Sequence, residues 1–386
     1  MYRLRQSGWL RAIALLAAVL AARGSATSQT QYVITNDDPG VSFYTVSQGG
    51  LLTLQQQVQI GGFGTVAGFF GANRLNMLDG GGQQCVFASI PSAGEISGIV
   101  ISTLTVGGTA SGSPTDNGAA NGIGLASNTQ YLYASFSSSN TIGTFAIQPG
   151  CDLTFINDVS AAGLAGGQID GMTIHGNIMI TTFTDGSIAS FDISTGIPLA
   201  NGDEQYSTAT LTSQDATYPN SIDVTSDGHY AIFGDTSTLQ VVEVSDISSG
   251  KLTPTIVYTA KKNISSSNVM LSPDETVLYV VNTQGATVSA LYFDKTTGKL
   301  TTGCTSKQIR GESADWSYLG AMGLIAQTGN GGGLYVAEFG TPSGIAMVTL
   351  ASSGGKCSLQ EVPQSPFADP NSQGLLSIGT FPPRSS

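Results

Sequence analysis

Between Asn268 and Cys304 the chain reads NVMLSPDETVLYVVNTQGATVSALYFDKTTGKLTTGC, and no other stretch restricts the fold as tightly. It holds four short β signals in succession. Asn268–Leu271 is apolar and stops at Ser272-Pro273-Asp274-Glu275. Val277–Val281 is rich in the β-branched and aromatic residues that suit a pleated surface. Gln284-Gly285 turns the chain into Val288–Phe293, and Asp294–Gly298 leads to a more polar run at Lys299–Cys304. Four antiparallel strands in so short a span make one meander, which cannot bury both of its faces alone. A chain built on such a unit has to repeat it.

The unit recurs. Aligned on its second strand, seven copies start at Tyr32, Cys85, Tyr131, Ile178, Tyr230, Val277 and Leu334, at intervals of about 46 to 57 residues that fall in the range of four-stranded propeller blades. A third strand follows each: Val41–Val46, Ile96–Ile101, Ile142–Ile147, Ser187–Ile193, Leu239–Val244, Val288–Phe293 and Ile345–Leu350. First strands are visible at Ile123–Ala126, Met172–His175, Ile222–Thr225 and Val269–Leu271. The first unit lacks one, and Leu375–Phe381 is a strand with no unit of its own. The expectation is an all-β, seven-bladed propeller of four-stranded antiparallel blades, its ring closed by the C-terminal strand, which removes the exposed edges of an open array.

LSPDETVLYVVN, with DVTSDGHYAIFGD as a weaker copy, resembles the repeat core of the seven-bladed lactonase-type propellers, a family with YVTN-like repeats that includes 6-phosphogluconolactonases and carboxymuconate cyclases. DKTTGKLT, echoed by SGKLT at Ser249–Thr253, resembles that family's entry into the outer strand. The resemblance implies the propeller fold and, as one activity, lactone hydrolysis by histidine, glutamate and arginine groups around the channel.

Arg3, Arg5 and Arg11, an apolar run at Ala12–Ala22 and Gly24-Ser25-Ala26 have the layout of a cleaved secretory signal. The run is too short to span a bilayer comfortably, and no cysteine follows it to carry a lipid. The expectation is a signal peptide at 1–26, one propeller domain at 27–386, and secretion to an extracellular or periplasmic space. The leader holds four of the 14 basic residues and none of the 26 acidic ones, so its removal takes the formal charge from −12 to −16. That argues against nucleic acid, which needs a basic face. Cys85, Cys151, Cys304 and Cys357 are an even set without a CxxC spacing, which reads as two disulfides rather than a metal knuckle. Three pairings are possible; Cys85–Cys151 and Cys304–Cys357 are preferred because each ties neighbouring units.

The starts of the first strands, the second-to-third loops and the links between units share one face. Polar residues stand ahead of the apolar runs there: Asn121, Asp170, Asn220 and Ser267. They are either a ring of ligand-binding groups or turn caps. Asp37, Asp185, Asp235, Asn282 and Glu338 come to the same face on the loops. The link Gln308–Leu319 carries Arg310, one of three arginines after residue 26, and Trp316, the one tryptophan there. With Tyr318 it could lie over the channel, Arg310 meeting an anion and Trp316 stacking on a ring, or it could be a packed surface loop. His175 and His229 fall at first-to-second turns, on the opposite face, so a histidine-based lactonase loses its warrant. A hydrolase here would use Asp170 or Glu338 as base and Arg310 for the oxyanion. Oxygen ligands such as Asn121, Asp170, Asn220 and Glu338 could alternatively hold calcium; otherwise no cofactor is expected. The leading expectation is a monomer that binds a small polar ligand or a protein partner at the strand-start mouth. Lactone hydrolysis and a pure interaction scaffold are the alternatives.

Overall fold

A computed structural model describes residues 30–37, 40–62, 74–112, 123–198, 207–210, 221–234, 241–246, 251–259, 266–282, 285–309, 318–325, 333–339, 344–353, 356–368 and 377–383. The expected leader at 1–26 lies outside them, as do Asn121, Asn220, Arg310 and Trp316. Among the described residues no helix is long and apolar enough to cross a membrane. The chain is an all-β propeller of antiparallel blades. The strands form six four-stranded sheets and a seventh of five strands.

From the inner strand outward, blade one is Ile378–Phe381, Tyr32–Asp37, Gly40–Val46 and Leu52–Gln59. Blade two is Leu75–Gly80, Gln83–Ile90, Glu95–Val100 and Thr105–Ser111. Blade three is Ile123–Ser127, Tyr131–Phe136, Thr141–Gln148 and Asp152–Ser160, and blade four Ile169–His175, Ile178–Phe183, Ser187–Asp192 and Ser207–Thr210. Blade five is Ser221–Val224, Tyr230–Gly234, Val241–Asp246 and Thr255–Thr259, and blade six Ser266–Leu271, Val277–Asn282, Thr287–Asp294 and Lys299–Thr305. Blade seven is Tyr318–Ile325, Gly333–Phe339, Gly344–Ser353 and Lys356–Glu361, with Phe367–Ala368 added to its third strand. Each inner strand touches the inner strand of the next blade, and that of blade seven touches Ile378–Phe381 of blade one.

The second strands are buried because a blade is covered on both faces. In VLYVVN of blade six every residue is buried, and successive side chains serve different neighbours. Val277, Tyr279 and Val281 pack toward blade seven, while Leu278 and Val280 pack toward blade five. One apolar cluster fills each junction between consecutive blades. The cluster joining blade seven to blade one contains Tyr335, Ala337, Ile345 and Met347 on one side and Val33, Tyr44 and Ile378 on the other. In this junction the C-terminal strand pairs with the first, Tyr32 opposite Phe381 and Thr35 opposite Ile378. The Tyr335 hydroxyl also donates to the Gly50 carbonyl at 2.7 Å. Tyr335→Phe is expected to lower stability by about 1 kcal/mol, the net worth of one buried hydrogen bond, read as a shifted denaturant midpoint.

Blade seven corrects the alignment. In blades two, three and five the first residue of the aligned strand faces the following blade, whereas Leu334 faces blade six and Tyr335 faces blade one. Unit seven therefore aligns from Gly333. The link Gln308–Leu319 also contains the beginning of a strand, Tyr318–Ile325.

The paired cysteines are Cys85–Cys151 and Cys304–Cys357, as preferred above, with Cα separations of 5.7 and 5.6 Å. They tie blade two to blade three and blade six to blade seven. On the outer strands of blades one, two, three, five and six a bulge falls at the same place, for example between Phe43 and Tyr44 and between Ala290 and Leu291. Bulges twist an open edge away from flat pairing with another chain.

The Ser/Thr-x-Asp turns that carry the family resemblance, at Ser272–Asp274 and Thr225–Asp227, lie at the ends of inner strands. In blade six Ser272 Oγ donates to Asp274 at 2.6 Å and accepts from the Val277 N–H at 3.0 Å. The carboxylate of Glu275 accepts from the Ser226 N–H of blade five, joining the two turns. Asp227 is held below the ordinary carboxylate range by the Thr225 hydroxyl and the His229 N–H. Burial pushes Asp274 up, but hydrogen bonds from Ser272 and Thr276 outweigh it and hold it low. A depressed folded pKa gives stability that is complete above the unfolded value near 3.9 and lost as pH falls through the folded one. The denaturant midpoint is thus expected to fall below about pH 4. Asp227→Asn with Asp274→Asn should make that fall shallower.

Candidate functional site

The inner strands surround a cavity of about 940 Å³. Among the described residues its wall takes Leu75–Asp79, Leu125–Thr129, Met172–Ile174, Ser221–Asp223, Asn268–Met270 and Ile378–Thr380, from six blades, with Pro382 and Pro383. The cavity reaches the turn ends of the strands, where Asn128, Thr129 and Gly176 belong to its rim. Half-buried apolar residues such as Met77, Ile174 and Met270 share the wall with the uncharged polar residues Asn76, Ser127, Thr173 and Asn268.

Several of these polar groups also tie neighbouring blades. Ser127 Oγ donates to Asn76 Oδ1 across the junction of blades two and three. Asp223 accepts from its neighbour's N–H, Val224 at 2.8 Å, through one oxygen and from Leu271 of blade six at 2.7 Å through the other. Both oxygens serve backbone groups, so this carboxylate acts first as a clamp between inner strands. Asn268 carries an amide in the wall, half-buried, on the strand beside it.

The strand-start end differs in charge. Arg74, at the entry to the inner strand of blade two, is 1% exposed, Asp170 4% and Glu338 2%. Charged side chains are rarely so buried unless paired or functional. Arg74 escaped the sequence reading, although a signal was present: it is one of three arginines after residue 26 and directly precedes a first strand. Its carbonyl accepts from the Ser89 N–H at 3.0 Å, and the Asn36 side chain donates to the Ser89 carbonyl at 3.0 Å.

Of the expected site residues, Asp170 and Glu338 are thus buried at the strand-start end and neither lines the axial cavity. Ser267 and Tyr318 lie in strands, with their side chains outside the described set. Asn282 donates to Thr287 and Ser289 within its own blade at 2.9 and 3.1 Å, and Asp185 accepts the N–H of Ser187 in its own loop and those of Gly166 and Gly167 in the link between blades three and four. Both fold loops. His175 stands over Gly228 of the next turn, and His229 meets the Tyr230 ring edge-on at 4.3 Å; neither lines the cavity. Among the described residues no three histidine, cysteine or acidic side chains come together as a metal site.

The profile of the family described as "Lactonase, 7-bladed beta-propeller" matches residues 123–370. The chain belongs to this lactonase propeller family. No curated protein matches it. Solved structures do. A "putative 6-phosphogluconolactonase" from Bacteroides fragilis is 15% identical with a TM-score of 0.67, over 92% of this chain and 99% of that one. A functionally unknown protein from Desulfotomaculum acetoxidans is 12% identical with a TM-score of 0.64, over 91% and 99%. Another "putative 6-phosphogluconolactonase", from Bacteroides uniformis, is 16% identical with a TM-score of 0.54, over 72% and 82%. At these identities the likeness speaks for the lactonase-propeller fold alone.

Proposed function

We infer that this lactonase-family chain is a secreted protein, processed after residue 26, whose seven sheets are the blades of one closed ring and whose axial cavity binds a small, uncharged polar ligand. Pairing of Ile378–Phe381 with Tyr32–Asp37 and the apolar cluster between blades seven and one support closure. Two disulfides support an oxidising compartment.

The cavity itself carries the functional reading. Its volume, about 940 Å³, is that of a small-molecule site, and its wall combines apolar surface with a few amides and hydroxyls. Among the described residues the wall includes Asp79 and Asp223 but no arginine, lysine or histidine. Phosphorylated or carboxylated ligands would enter against that charge, whereas neutral ones meet no such barrier. The reading moves the ligand from the strand-start mouth, expected from the sequence, to the axial cavity that reaches the turn ends. Calorimetric titration with neutral sugars and lactones and with their phosphorylated forms tests it. Binding of a neutral member is expected, weakened roughly fivefold in Asn268→Leu, the equivalent of one neutral hydrogen bond. Preference for the phosphorylated forms would overturn the reading.

Lactone hydrolysis is the second reading, favoured by the burial of Arg74, Asp170 and Glu338 at the strand-start end. There a carboxylate would act as base and Arg74 or Arg310 would stabilise the oxyanion. Turnover of a lactone panel that is lost in Glu338→Gln or Asp170→Asn would support it. Wild-type protein inert toward every lactone would remove it.

A further inference from the structure

The junction of blades two and three is built differently from those of blades three and four and of blades five and six. At the junction of three and four, the Tyr131 ring covers Gly196: a Cβ on that glycine would lie 2.6 Å from the ring. Tyr133 donates to the Gly196 carbonyl at 3.1 Å. At the junction of five and six, Tyr230 covers Gly298 in the same way, 2.9 Å from such a Cβ. Both glycines sit in left-handed backbone, with φ 85° and 66°.

Strand register places Cys85 where these tyrosines stand. Leu75 lies opposite Ala88, Leu125 opposite Ala134 and Ile222 opposite Phe233, which aligns Cys85 with Tyr131 and Tyr230. Cys151, in the facing turn, has φ 63° and so takes the glycine's conformation. The Cys85–Cys151 disulfide therefore occupies the place of a phenol ring on a glycine, and it is much the smaller group. Beside it a Cβ on Gly150 would meet nothing within 4 Å. A pocket of about 430 Å³ opens there, on the turn end of blade two.

The groups around this pocket are oriented. Gln83 Oε1 accepts from the Cys151 N–H at 3.3 Å, and Gln84 Nε2 donates to Asp79 at 3.2 Å. Gln83 Nε2 is left as a donor and Gln84 Oε1 as an acceptor, beside the Asp79 carboxylate and the Ser102 hydroxyl. Such a set of donors and acceptors suits hydroxyl groups, and among the described residues no basic side chain lines the pocket to attract an anion. We propose that this pocket binds a single uncharged, polyhydroxylated ring, one sugar unit, seated where the junctions of blades three and four and of five and six carry a tyrosine. The site shares Asp79 with the axial cavity and is otherwise lined by different residues, so the proposal does not depend on what binds there.

Titration with the methyl glycosides of glucose, galactose and mannose, followed by backbone and side-chain amide resonances, tests the proposal. At least one glycoside is expected to shift the signals of Gly150 and of the Gln83 and Gln84 side chains. The shifts should vanish in Ser102→Trp, an exposed position at the pocket mouth, and persist in the axial variant Asn268→Leu. Cys85→Tyr with Cys151→Gly, which restores a ring over a glycine, should abolish them too; if that pair does not fold, Ser102→Trp decides. Three results would overturn the proposal: no shift at these residues in wild type, shifts that survive Ser102→Trp, or shifts produced by methylammonium and by no glycoside.

Discussion

Replacing Cys304 and Cys357 together by serine is expected to lower the unfolding free energy by about 4 kcal/mol, and the same exchange at Cys85 and Cys151 by a similar amount. The bridges close loops of 53 and 66 residues. In the chain-entropy account, the benefit comes from the freedom these closures remove from the unfolded chain. A domain's whole margin is about 5–15 kcal/mol, so losing both bridges should leave the protein unfolded or close to it at room temperature. Accessibility orders the two. Cys85 and Cys151 are 0% and 1% exposed, while Cys304 and Cys357 are half-buried. Mild reductant followed by alkylation and peptide mapping should therefore mark Cys304 and Cys357 first. A loss below about 1 kcal/mol for either pair would mean that apolar packing holds the blade junctions without help.

Gly98→Ala is expected to cost about 3 kcal/mol, at the upper end of overpacking effects. The third strand of blade two runs so close to the turn of blade three that a Cβ on Gly98 would fall 1.8 Å from the Cys151 carbonyl oxygen. Gly107 stands in the same relation to the Gly150 carbonyl, also at 1.8 Å. Backbone lies on both sides, so no side chain can rotate away and one blade has to move against a disulfide that resists it. Gly49→Ala is the control, since nothing lies within 4 Å of a Cβ there. Urea midpoints of the two variants should separate clearly. Equal midpoints would contradict the tight fit at this junction.

The middle strands were legible in the sequence because both faces of a blade are covered, which leaves continuous apolar runs such as VLYVVN and CVFASI. Outer strands were not. LTLQQQVQ of blade one is exposed at most positions and TVGGTAS of blade two is small and polar, so neither shows a buried face. The inner strand of blade seven, YLGAMGLI, is broken by glycines, and its beginning reads as part of an irregular link. The slip of one residue at Leu334 has a related cause: Gly333, Tyr335 and Ala337 alternate with equally apolar neighbours, so hydrophobicity cannot choose between the two registers. The cysteine pairing was readable from blade adjacency alone.

The candidate site was less legible. Asp170 and Glu338 stood out as acids beside apolar runs, and they are indeed buried. Asn76, Ser127 and Asn268 did not stand out, because each is a single polar residue on a short inner strand and only the packing of blades brings them around one space. The second pocket was invisible for a different reason. It arises from a cysteine in a tyrosine's register, which requires the strand pairing to be known.

The most direct test of the account is a crystal structure of the protein with whichever neutral ligand titrates. The account predicts that ligand in the axial cavity, within hydrogen-bonding distance of Asn268 or Asn76. A ligand held instead at the strand-start end, against Asp170, Glu338 or Arg74, would contradict it.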